Sequence, residues 1–109
     1  MLKIRSGFVA NSSSSSFIIH NHGEDISLAE FVVLAKHEIL ESMEFYEWEH
    51  HFDEVIESAA QRREVIESGE HEYAFGDEDG DLVGAILDYA LRDGGDVGRV
   101  AWRFSESLR

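Results

Sequence analysis

Two histidines, His50 and His51, stand among carboxylates in the stretch EFYEWEHHFDEVIE. Read on one helix, Glu47 and His50 are three residues apart, and His50 and Glu54 four apart, so one face carries all three. Glu-x-x-His is a fragment of the di-iron bundle signature, whose full form needs two such pairs and two further glutamates on facing helices. One pair is better read as a solvated polar face on which a charged histidine pairs with its neighbours. The enzymatic alternative is a small metal-dependent enzyme built on His50, His51, Glu47 and Glu54.

A second group is the run Asn11, Ser12, Ser13, Ser14, Ser15, Ser16, closed by Phe17. A nucleophilic serine needs a base within hydrogen-bond reach and an oxyanion site. Neither a G-x-S-x-G elbow nor an S-x-x-K motif occurs, which argues against serine catalysis. The plainer reading is a polar loop whose hydroxyls bond local backbone. The alternative is a recognition or modification segment, because phosphorylation adds negative charge at serine. Phe17–Ile18–Ile19 follows the serines directly, so a short ordered loop or strand edge is expected rather than a flexible spacer.

Asp77, Asp79 and Asp81 have the alternate spacing that opens a calcium loop. The EF-hand needs Gly at its sixth position and Glu at its twelfth, where this chain has Leu82 and Asp88. At most these aspartates form a weak cation site. No metal or other cofactor is expected. With no cysteine, disulfides, Cys-based zinc sites and thiol catalysis are excluded.

Glu49, Asp53 and Glu57 recur at i, i+4, a spacing at which like charges repel on a helix. With Glu47 and Glu54 they form a candidate acidic binding face. A merely solvated face, or adaptation to salt, would produce the same residues. The formal net charge is −14, and it is unevenly spread. Glu24 to Asp81 holds 19 acids against 3 bases, residues 1–23 hold two bases and no acid, and residues 82–109 hold four of each. Binding of the whole chain to a phosphate backbone is disfavoured, and a protein partner with a basic surface is favoured. No apolar run approaches the ~18 residues of a membrane span, and MLKIRSGF lacks the apolar core of a signal peptide.

These groups need a scaffold, and the hydrophobic pattern supplies one. Leu2–Arg5, Phe17–His20, Glu72–Phe75 and Arg99–Phe104 read as strands. Ser27 and Glu30 have capping-box spacing before an apolar period running from Leu28 to Met43. A second period runs from Phe45 to Ile66 with a break near Glu44–Glu47, and Gly69 is its expected stop. Leu82–Leu91 is a buried helix ended at Gly94–Gly95. The order β-β-α-α-β-α-β implies an α+β fold: a two-layer sandwich with about three helices on one face of a mixed four-stranded sheet. Residues 1–109 are expected to form one domain, with 1–23 as a serine-rich hairpin segment and 24–109 as the body. Alternation further places Lys3, Arg5, Arg99 and Arg103 together as a basic face of the sheet.

Lys3 to Phe17, KIRSGFVANSSSSSF, closely resembles an N-terminal segment of small uncharacterised phage and bacterial proteins, K-I-R-S-G-F-V-S-N-S-S-S-S-S-F, departing from it only at Ala10. Tyr73 to Leu82, YAFGDEDGDL, is similar to an acidic turn further along some of them. The resemblance implies a phage or mobile-element context and a portable N-terminal element, and it transfers no catalytic residue. Together these readings lead to a non-enzymatic protein that binds a basic partner through its acidic helical surface. It would act as a host-directed accessory protein or inhibitor in the host cytoplasm, or alternatively as a minor component of the virion.

Overall fold

The computed structural model describes residues 16–75 and 81–105. The expected strand Leu2–Arg5, with Lys3 and Arg5, the run from Asn11 through Ser15, and the aspartates Asp77 and Asp79 lie outside the described residues.

The fold is α+β. Strand β1 (Ser16–Asn21) buries Phe17 and Ile19 on one face and leaves His20 exposed on the other, as a period of two requires. It is flanked in one sheet by β4 (Gly69–Ala74) and β6 (Val100–Ser105), with the two-residue β5 (Gly95–Asp96) beyond β6. All three pairings are antiparallel. Among the described residues the expected mixed sheet is therefore corrected to an antiparallel one. The strand-helix-strand segment from β4 to β6 does carry two strands in the same direction. They are not neighbours, because β1 lies between them.

Helix α1 (Leu28–Leu34) begins where its local signal places it. The Ser27 hydroxyl accepts from the Glu30 N–H at 3.1 Å, and the Glu30 carboxylate accepts from the Ser27 N–H at 3.0 Å. The apolar period continues into α2 (Lys36–Phe45), but the chain is interrupted at Ala35, so one expected helix is two. Helix α3 (Phe52–Arg62) is shorter than the expected Phe45–Ile66 span. Arg63 turns left-handed at φ 61°, and Val65–Ile66 forms β3, paired with β2 (Ile26–Ser27). Gly69, expected to stop a helix, instead starts β4 at φ 93°. Helix α4 (Leu82–Ala90) completes four helices among the described residues.

The helices cover one sheet face. Phe31 of α1 meets Trp102 of β6 edge-on, with ring centroids 5.5 Å apart. Around that contact Phe17, Ile19, Leu28, Val32, Ile39, Val55, Ile86 and Leu87 are fully buried. Buried Asn21 ties the end of β1 to its surroundings: its amide donates to the carbonyls of Glu24 and Ile66, and its oxygen accepts from Gly23 N–H. Pairing puts Ile18, His20, Glu70, Glu72, Ala101 and Arg103 on the opposite sheet face. Among the described residues no helix is long and apolar enough to cross a membrane.

Candidate functional site: an acidic surface with an aromatic edge

From Glu38 to Glu57 the chain carries eight carboxylates and no lysine or arginine. The structure distributes them along α2 from its first turn to its last, over the connection 46–51 and the first two turns of α3. Glu47, Glu49, Asp53, Glu54 and Glu57 are all exposed. Glu47 sits in the turn after α2 at φ 58° and Glu49 in the connection, while Asp53, Glu54 and Glu57 are on α3. The expected single helical row of Glu49, Asp53 and Glu57 is thus reduced to Asp53 and Glu57. Asp53 and Glu54 fall in the first turn of α3, where carboxylates complement the helix dipole.

The same break takes apart the Glu-x-x-His fragment. Glu47 and His50 are not on a helix, so the inward projection that a di-iron bundle needs is missing. His50 Nδ1 lies 2.9 Å from a Glu54 oxygen, and the His51 N–H donates to that oxygen at 3.2 Å. The hydrogen bond with His50, followed by the one from the His51 backbone, holds the Glu54 carboxyl below the ordinary glutamate range. Among the described residues no group of three or more His, Asp or Glu side chains is placed to hold a metal ion.

Beside these acids a concavity of about 590 Å³ opens between α3 and the start of α4, lined by Glu54, Glu57, Ser58, Gln61, Arg62, Asp81 and Leu82. Its cation is already committed. Arg62 bonds Glu64 at 3.0 Å and Asp81 at 3.1 Å, with its guanidinium 5.8 Å from the centre of the Phe75 ring. The Ser58 hydroxyl accepts from the Val83 N–H and so caps α4 from a neighbouring helix. Asp81, the described member of the calcium-like spacing, is the N-cap residue of α4 and the ion-pair partner of Arg62. Partial burial pushes the Glu64 carboxyl up, outweighing the attraction of Arg62.

The two described members of the expected basic face lie at different stations. Arg99 precedes β6 and donates to the Glu24 carbonyl at 2.9 Å. Arg103 is on β6, 3.3 Å from Glu70. Glu70 and Glu72 occupy the same sheet face as Arg103, so the described part of that face mixes both signs. Ser16 and Phe17 belong to β1 and are buried, and the Ser16 hydroxyl donates to Glu72.

Sequence reasoning missed an exposed aromatic cluster. Phe45 was expected within an apolar helical period, yet it is 78% exposed because α2 ends on it and α3 begins a new register at Phe52. Tyr46 and Tyr89 join it, while Trp48 packs half-buried against the core. In comparisons with protein-family models, curated proteins and solved structures, nothing matches this chain.

Proposed function

We propose that this chain is a non-enzymatic binding protein of a phage or mobile element, a host-directed accessory protein that docks a basic protein partner on the acidic surface of α2, α3 and their connection. The observation that carries this reading is the set of eight carboxylates from Glu38 to Glu57, seven of them exposed and Glu38 half-buried, uninterrupted by lysine or arginine. A partner presenting positive charge gains attraction and a faster encounter at such a surface. The phage context rests on the resemblance of Lys3 to Phe17.

The test is capture of partners from expressing cells at low salt and again at about 1 M salt, where the screening length falls to ~3 Å. Release at high salt, and loss of capture by the triple variant Glu49→Gln, Asp53→Asn, Glu57→Gln, are the expected results. A partner that binds equally in both salts and to both proteins would overturn the reading.

A further inference from the structure

Two helices end side by side at the acidic surface. Tyr46, the C-cap of α2, and Tyr89, in the last turn of α4, have ring centroids 4.9 Å apart. Phe45 packs edge-on against Tyr46, also at 4.9 Å and with the ring planes 87° apart. Tyr46 is 48% and Tyr89 40% exposed, so all three rings reach solvent as one patch. Glu41 stands one turn before Phe45, Glu44 beside it and Glu47 just beyond it. The last turn of α2 carries no basic residue of its own to offset its negative dipole end.

Aromatic faces are electron-rich, and carboxylates around them favour an organic cation. Tyr89 already holds one such cation. The Arg92 guanidinium lies 4.8 Å from the centre of the Tyr89 ring, its charge balanced by Asp88 at 3.0 Å. We infer that Phe45, Tyr46 and Tyr89 anchor an arginine side chain of a basic polypeptide partner. This rests on the acidic docking surface proposed above and names the contact that makes it selective. Charge complementarity decides the occupant: a second copy of the chain would bring the same carboxylates against themselves at a net charge of −14 each. Arginine is favoured over lysine because its planar, weakly hydrated guanidinium stacks on rings, whereas an ammonium holds its water.

Hexa-arginine and hexalysine are the probes, titrated into the full chain at low salt by calorimetry and by NMR of the Tyr46 and Tyr89 ring protons. Hexa-arginine is expected to bind about three- to fivefold tighter and to shift both sets of ring protons. The double variant Phe45→Leu, Tyr46→Leu keeps apolar bulk at exposed positions and should abolish that preference. The pair Glu49→Gln, Asp53→Asn should weaken both peptides alike. Equal affinities, unmoved ring protons in the wild type, or a preference unchanged in the double variant would overturn the anchor and leave the acidic surface standing. Failure of both peptides to bind would overturn both. Self-association in sedimentation that disappears in the double variant would assign the patch to a second copy and overturn the inference.

Discussion

The Ser16 hydroxyl donates a hydrogen bond to the Glu72 carboxylate on the adjacent strand, and the Ser105 hydroxyl reaches the same oxygen at 3.4 Å. Ser16 and Ser105 face each other across β1 and β6, while Glu72 pairs with Ile18 one step along β4. The last residue of the serine run is therefore part of the sheet. Ser16 is 2% exposed, which separates it from any event that needs an accessible hydroxyl.

Replacing Ser16 with Ala should lower unfolding free energy by ~1 kcal/mol, the usual net value of one hydrogen bond with some excess for a charged acceptor. Urea titration measures it. The variant should keep its fold, because Ser105 still reaches Glu72. If a kinase modifies the serine run, peptide mapping of the folded protein should find Ser16 unmodified.

Two glycines near β5 should respond differently to alanine. A Cβ on Gly95 would run into the ring of Trp102, which is held in the core. Gly95→Ala should cost about 2 kcal/mol or more through overpacking. Gly98 has φ 91° with nothing within 4 Å of the added Cβ, so Gly98→Ala meets backbone strain alone, ~1 kcal/mol. Thermal unfolding followed by circular dichroism should rank the two variants in that order.

His50→Ala removes the hydrogen bond that contributes most to the lowered Glu54 pKa. NMR titration of the Glu54 carboxyl should show its midpoint rising toward the ordinary glutamate value, though not fully, because the His51 N–H remains. A depressed folded-state pKa stabilises the fold above the unfolded value, and that stability is lost as pH falls through the folded one. Both groups are exposed, so the titration shift, not the melting temperature, is the sensitive readout.

Glu64 behaves in the opposite sense. Burial favours its protonated form, so the folded chain holds that proton more tightly than the unfolded chain. The resulting stability is present below the unfolded pKa and lost as pH rises through the raised folded pKa. Glu64→Gln keeps an oxygen for the Arg62 guanidinium and removes the charge, while Asp81 still pairs with Arg62. Stability at neutral pH should change by less than ~1 kcal/mol, and its dependence on pH in the carboxylate range should flatten. Denaturant midpoints across that range check it.

What was legible in the chain was local. Ser27 and Glu30 announce the start of α1 because a capping box closes within four residues. Val100 and Trp102 announce β6 because alternation needs only neighbouring residues. The acidic surface could likewise be read directly, since charge is counted without a fold. The end of α3 was not legible: Arg63 takes a left-handed conformation that glycine usually signals, and nothing in its own identity marks it.

Tertiary structure decided which elements meet. Whether β4 and β6 would be neighbours depended on β1, 48 residues or more away in the chain, settling between them. Glu47, Glu49, Asp53, Glu54 and Glu57 are exposed, but their helical rows are broken where α2 gives way to the connection, which takes apart the Glu-x-x-His fragment. Phe45 was placed in solvent, and Tyr46 against Tyr89, by the packing of α2 on α4. Hydrophobic period and capping act over one or two turns and are written in adjacent residues. Strand neighbours, ring clusters and the partners of a buried serine arise from contacts between distant segments, and no local period encodes them.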